Sequence, residues 1–183
     1  TIVRFGLGYA PDDGQALYQY LRDKGYNRQE LDASGLFKRS QSGRVYCLFW
    51  RRVMTPIFDL RGNIIAFGGR VLDDSKPKYV NSPETLVYHK SGTVFALQIA
   101  KRSASRRFVL CEGYMDVISM HQAGIDTAVC ACGTALTPDQ VRLISEYADE
   151  VILSYDSDEA GQKATLRSLE MFRNSPVKVG VLQ

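Results

Sequence analysis

Residues 108–116, F-V-L-C-E-G-Y-M-D, and residues 151–161, V-I-L-S-Y-D-S-D-E-A-G, share one design. In each, a short apolar run that reads as a buried strand stops at carboxylates, Glu112 and Asp116 in the first and Asp156, Asp158 and Glu159 in the second. A helical pattern follows both, so both are strand-to-helix junctions. Such junctions line one edge of an open parallel sheet, where α/β proteins usually take their ligands. Carboxylates gathered there repel unless a cation sits between them, and oxygen-only donors favour Mg²⁺ or Mn²⁺. A divalent-metal site is the first functional expectation.

Around these junctions the second part of the chain alternates strictly. Strands are expected over 108–111, 127–131, 151–155 and 177–182, and helices over 114–122, 138–148 and 159–173. Thr137 as N-cap, with Pro138 at the first helical position and Gln140 at the third, is a strong helix start. Four strands alternating with three helices imply a mostly parallel, helix-flanked sheet with right-handed crossovers. Asp116, inside its helix, reads as support for the turn at Gly113, and Glu159 as a helix N-terminal charge.

The first part is less regular. Residues 2–9 read as a strand, and Pro11 and Asp12 open a helix with Ala16, Leu17, Tyr20 and Leu21 inward, ended by Gly25. Asn27 and Glu30 start a short helix that Gly35 closes. Residues 53–58 and 64–72 flank D-L-R-G-N as a hairpin, with Pro56 marking an edge or a bulge. Gly68-Gly69 leaves backbone exposed beside Arg70 or marks a kink. Residues 73–90 are expected as an irregular loop. Its Lys76, Lys78, Tyr79, Asn81, His89 and Lys90 are the mixture that holds triphosphates and stacks bases, and equally what a polar surface loop carries. A helix is expected over 93–102, and K-R-S-A-S-R-R at 101–107 reads as a solvated connection.

Residues 1–110 carry 18 Lys and Arg against 9 Asp and Glu, a net of +9, while residues 111–183 carry 5 against 11, a net of −6. That split suits a polyanion on one side and bound metal on the other. Cys47, Cys111, Cys130 and Cys132 lack C-x-x-C spacing and lie mostly in apolar runs, so buried reduced thiols are expected rather than zinc ligands or disulfides. No apolar run approaches the roughly 20 residues of a membrane span, and the opening T-I-V-R-F-G-L-G-Y has no signal-peptide layout, so no membrane partner and a cytoplasmic location are expected.

Together the segments resemble the RNA polymerase core of bacterial replicative DNA primases of the DnaG type. The resemblance rests on R-V-M-T-P-I-F-D-L-R-G-N-I-I-A-F-G-G-R-V-L at 52–72 and P-K-Y-V-N-S-P-E-T at 77–85, with Y-H-K at 88–90. It continues through E-G-Y-M-D-V at 112–117, A-C-G-T-A-L-T at 131–137 and Y-D-S-D-E-A-G at 155–161. It implies an α/β chain in which a basic, mixed α+β N-terminal subdomain of the core (1–106) precedes a Toprim domain (107–183), a mostly parallel sheet flanked by helices. The implied activity is synthesis of RNA primers from ribonucleoside triphosphates on a single-stranded DNA template. By resemblance, Glu112, Asp156 and Asp158 are the catalytic acids that place Mg²⁺, with Mn²⁺ as a substitute, and Glu112 is also a candidate for proton transfer. Arg70, Lys78 and Lys90 match basic positions of the active cleft, and Tyr79 and Asn81 lie in the nucleotide-contacting segment. Nucleotidyl transfer builds charge on the attacked phosphoryl group and on departing pyrophosphate, which calls for metal on one side and Arg or Lys on the other.

The family's Toprim domain continues to a further strand and a D-P-D element, whereas this sequence stops at V-K-V-G-V-L-Q. The zinc-binding template module and the helical tail that meets the replicative helicase are also expected outside this sequence, so it reads as a core fragment. Two other functions remain open at this point: a Toprim nuclease or topoisomerase, and a noncatalytic nucleotide- or DNA-binding module. The P-K-Y-V-N-S-P-E-T segment argues against the nuclease, because cleavage needs no incoming nucleotide.

Overall fold

The computed structural model describes residues 1–133 and 135–182, which form two compact units. One comprises residues 2–57 and 64–89; the other comprises Thr1, 58–63 and the chain from Lys90 onward.

The first unit holds α1 (Ile2–Phe5), β1 (Gly8–Ala10), α2 (Ala16–Asp23), α3 (Arg28–Ala33), β2 (Phe37–Arg39), β3 (Val45–Cys47), β4 (Arg52–Phe58), β5 (Ile64–Arg70) and β6 (Tyr79–Asn81). Its main sheet runs β1-β4-β5-β6, and β2 pairs with β3 as a separate ribbon. The strand expected over 2–9 is a helical turn followed by a short strand, because Gly6 at φ +63 reverses the chain between them. In α2 the inward face is turned from the expected one. Leu17 and Tyr20 are exposed, while Tyr18 and Leu21 pack on the cluster of Leu31, Phe37, Cys47 and Phe49. Asp13 starts that helix, its Oδ1 accepting from the amides of Gln15 and Ala16 at 2.9 and 3.0 Å. The capping box at Asn27 and Glu30 forms with both bonds in place. Pro56 lies in an interior strand, yet β1 pairs only with Arg52–Met54, so no β1 partner requires an N–H at that position.

The segment 73–90, expected to be irregular throughout, contributes β6. It pairs antiparallel with β5 in the register Gly68↔Asn81, Gly69↔Val80 and Arg70↔Tyr79. Gly68 and Gly69 are buried, so they do not expose backbone. A Cβ on Gly69 would lie 2.8 Å from the Phe49 ring and 3.0 Å from Arg52 Cδ, so this glycine serves close packing.

The second unit contains a 3-10 turn (Lys90–Gly92), β7 (Val94–Phe95), α4 (Leu97–Ala100), β8 (Arg107–Cys111), α5 (Tyr114–Gln122), β9 (Ala128–Ala131), α6 (Pro138–Ser145), β10 (Glu150–Ser154), α7 (Glu159–Phe172) and β11 (Lys178–Val181). Its sheet order is β11-β10-β8-β9-β7, the first four parallel as expected and β7 antiparallel against β9. The helix expected over 93–102 is shortened because Val94 and Phe95 are spent on that edge pairing. Phe108, Leu110, Val129, Val151 and Leu153 form the sheet's share of the core, with Ile144 and Phe172 from the helices and Leu60 packed on it from the 58–63 turn. All four cysteines are buried and free, as expected.

Candidate functional site

Parallel pairing of β8 with β10 puts Cys111 opposite Ser154, so the residues that follow these strands emerge side by side. The two acidic junctions meet for this reason: Glu112 Oε2 accepts from the Asp156 amide at 3.3 Å. Both residues are exposed at the sheet's carboxyl edge. Asp158 is the N-cap of α7, its Oδ1 accepting from the Gly161 amide at 2.8 Å, with no hydrogen bond to its other carboxylate oxygen among the described residues. Asp116 accepts from the Gly113 amide at 3.0 Å, the structural role expected of it, and Glu159 begins α7 and pairs with Lys163 at 2.5 Å.

Gly161 is the residue that sequence reasoning passed over. A Cβ there would stand 2.0 Å from the Asp156 carbonyl oxygen, so the first turn of α7 can back onto the Asp156 peptide only if position 161 is glycine. Its spacing, five residues after Asp156 at the mouth of a helix, was the available signal.

Among the described residues no three His, Cys, Asp or Glu side chains form a closed metal cage. The donor chemistry still fits a hard divalent cation. Mg²⁺ is usually held by one or two carboxylates together with waters and substrate phosphates rather than by an all-protein shell. Glu112 and Asp156 are exposed carboxylate residues of that kind, on neighbouring strand ends linked through the Asp156 amide.

Beside Glu112 opens a cavity of about 630 Å³ whose walls include Cys111, Leu136, Tyr155, Arg167, Ser168 and Met171. Burial, reinforced by the Asp116 charge, pushes the Cys111 thiol up to about 12. Burial also raises Tyr155, whose hydroxyl lies 3.0 Å from Ser168 Oγ. Both groups are thereby held in their neutral, protonated forms.

The remaining expected site residues lie elsewhere in the chain. In the β5–β6 register, side chains two apart share a face, so Arg70, Tyr79 and Asn81 look the same way, while Gly69 and Val80 face the unit's core. The Arg70 guanidinium lies 5.5 Å from the centre of the Tyr79 ring, and Tyr79 is 43% exposed. Arg70 Nε and Asn81 Oδ1 are buried polar atoms with no hydrogen-bond partner among the described residues. Lys78 is exposed just before β6. Lys90 begins the 3-10 turn of the second unit, where the side-chain amide of Gln140, itself fully buried, donates to the Lys90 and Thr93 carbonyls at 2.8 Å each. Thr137 Oγ1 adds a bond to the Ser91 carbonyl. The capping box read from sequence at Thr137 and Gln140 thus also fixes the turn that carries Lys90, which no local pattern announced. Of the A-C-G-T-A-L-T motif, Thr134 lies outside the described residues.

Residues 1–101 match the family described as the DNA primase catalytic core, N-terminal domain, and residues 109–183 match the Toprim-like family. The chain is 46% identical over 184 residues to a DNA primase of Clostridium acetobutylicum, an alignment covering 100% of this chain and 31% of that protein. It superposes on the Escherichia coli primase catalytic core with a TM-score of 0.86 at 41% identity, covering 93% of this chain and 55% of that one. A DnaG primase catalytic domain bound to single-stranded DNA gives a TM-score of 0.88 at 37% identity, covering 100% of this chain and 61% of that one. The chain spans about a third of the length of the curated relatives it matches.

Proposed function

The chain belongs to the DNA primase catalytic core family, and from that premise we propose that it is the part of a primase that holds a ribonucleoside triphosphate and the reacting metal during RNA primer synthesis on single-stranded DNA. We place a boundary near residue 106, between a basic nucleotide-handling subdomain and the Toprim domain. The two family matches, ending at 101 and beginning at 109, support it. Compactness groups residues 90–106 with the Toprim sheet, through the edge strand β7.

The observation that carries the reading is the β5–β6 face. Arg70, Tyr79 and Asn81 combine a cation, an aromatic surface and an amide on one face of the strand pair. That composition answers a nucleotide: Arg and Lys for phosphate oxygens, the Tyr ring for a base face, and the Asn amide for base or sugar edges. Lys78 and Lys90 add positive charge for the triphosphate and the template backbone.

On the acidic edge, Glu112, Asp156 and the other carboxylate oxygen of Asp158 are the proposed metal ligands. Toprim-type primases use a divalent metal, here Mg²⁺ or Mn²⁺, which when bound supplies positive charge at the transferring phosphoryl oxygens. Glu112 also stands as the acceptor for the proton of the primer 3′-hydroxyl as it attacks the α-phosphorus and pyrophosphate departs. Arg70, Lys78 and Lys90 neutralise the charge that gathers on the leaving group. Among the described residues no helix is long and apolar enough to cross a membrane. We assign the whole protein to the cytoplasm, with the replicative helicase as its partner through a region outside this sequence.

Calorimetric titration of the chain with GTP, with and without Mg²⁺, tests the reading. Binding should require Mg²⁺, and it should weaken about tenfold in both Lys78→Ala and Glu112→Gln, each of which removes one charge-assisted contact. Affinity indifferent to the metal and to both substitutions would sink it.

A further inference from the structure

Arg52 stands beside Arg51 in the sequence, yet only 4% of it is exposed. Among the described residues no carboxylate forms an ion pair with it. Its hydrogen bonds go instead to three backbone carbonyls: Nη2 donates to Pro77 at 2.9 Å, and Nη1 to Lys78 at 3.3 Å and, more weakly, to Gly69 at 3.4 Å. One guanidinium therefore ties the end of β5 to the segment that enters β6. The tie lies just behind the residues proposed to meet the nucleotide, since Gly69 precedes Arg70, and Pro77 and Lys78 precede Tyr79.

The surroundings are arranged around this side chain. Arg51 adopts φ +49, a left-handed conformation that costs a non-glycine residue about 1 kcal/mol, immediately before Arg52 begins β4. Gly69 lacks the Cβ that would meet Arg52 Cδ at 3.0 Å. Burial holds the pKa of the Arg52 guanidinium below its ordinary value, the Asp73 charge offsets only part of that, and the Arg52 Nε has no hydrogen-bond partner among the described residues. An apolar side chain of similar volume would fill the space at lower cost, but it could not hold three carbonyls.

We propose that Arg52 is a positioning residue of the nucleotide site: it clamps the Gly69, Pro77 and Lys78 carbonyls so that Lys78 and the Arg70–Tyr79–Asn81 face are preset to receive a nucleoside triphosphate. The inference rests on the nucleotide reading above. It couples the R-V-M-T-P-I and F-G-G-R arms of the hairpin to P-K-Y-V-N through a single side chain.

The test uses the full chain with Arg52→Met, Arg52→Lys, Lys78→Ala and the Arg52→Met/Lys78→Ala double variant, read by GTP–Mg²⁺ titration and by amide hydrogen exchange. Arg52→Met should weaken GTP about tenfold, Arg52→Lys should recover part of the loss, and the double variant should bind little worse than either single one, because both act through the same contact. Exchange at the β6 amides should accelerate in Arg52→Met while amides of α5 keep their protection. Unchanged β6 protection overturns the clamp, and so do additive effects of Arg52→Met and Lys78→Ala on affinity. If Lys78→Ala leaves GTP binding unaltered, the nucleotide reading fails on its own. The exchange result then still decides whether Arg52 orders the segment.

Discussion

The acidic edge and the β5–β6 face reach their arrangements by different routes. On the acidic edge, parallel topology does the placing: β8 and β10 are hydrogen-bonded neighbours in register, so whatever follows Cys111 and Ser154 must meet. On the β5–β6 face, placement depends on one three-residue strand whose register sets Arg70 against Tyr79, and on a buried arginine that secures the approach to it. Topology tolerates local change because many bonds share the task. A short strand behind a single clamp does not, so the two regions should fail differently when mutated.

The largest expected effect tests how far that tolerance extends. Gly161→Ala places a methyl group 2.0 Å from the Asp156 carbonyl oxygen, backbone against backbone, with no flexible side chain to yield. It should destabilise the chain by about 3 kcal/mol and displace the Asp156 peptide from Glu112. Gly113→Ala, at the other junction, brings its Cβ no nearer than 3.4 Å to Asp116 Oδ2 and should be tolerated. Thermal unfolding of the two variants reads the contrast, and equal losses would mean that Gly161 is not specially constrained.

A smaller effect is expected at the turn bearing Lys90, which resembles the β5–β6 face in relying on a buried side chain that holds carbonyls. Gln140→Leu fills the same space but removes the two side-chain hydrogen bonds to the Lys90 and Thr93 carbonyls, a cost of about 2 kcal/mol. If Lys90 serves the nucleotide as proposed, GTP affinity should fall in the same variant at temperatures where it remains folded. Denaturant titration alongside GTP binding separates the two losses.

What the sequence made legible follows the same division. Alternating apolar runs and caps specified β8 to β11 and α5 to α7, because in a parallel sheet with buried strands the local pattern and the tertiary position carry the same information. That both acidic junctions lie at the carboxyl edge followed from the same pattern, whereas the pairing of β8 with β10 rather than with β9 alone, which sets Glu112 beside Asp156, did not. The register of β6 was hidden because Tyr79–Asn81 is too short for periodicity to show and is flanked by prolines and charges. Arg52 and Gln140 were hidden for another reason: their partners are main-chain carbonyls 25 and 50 residues away, and a carbonyl has no signature in a sequence. The strand Val94–Phe95 gave way to a helical reading because its pairing partner, β9, lies over thirty residues downstream.

The smallest effect concerns Asp158, where two duties meet in one carboxylate. As N-cap of α7 it needs only an acceptor for the Gly161 amide, which asparagine supplies equally well, so Asp158→Asn should change stability by no more than about 0.5 kcal/mol. As a proposed metal ligand it needs its charge, and Asp158→Asn should weaken Mn²⁺ binding by about fivefold, ligand charge being a main determinant of such affinities. Asp158→Ala removes both and should lose about 1 kcal/mol of stability as well. Should Asp158→Asn bind Mn²⁺ like the unaltered chain, Asp158 is a cap alone. The metal would then belong to Glu112 and Asp156, the pair that the β8–β10 register brings together.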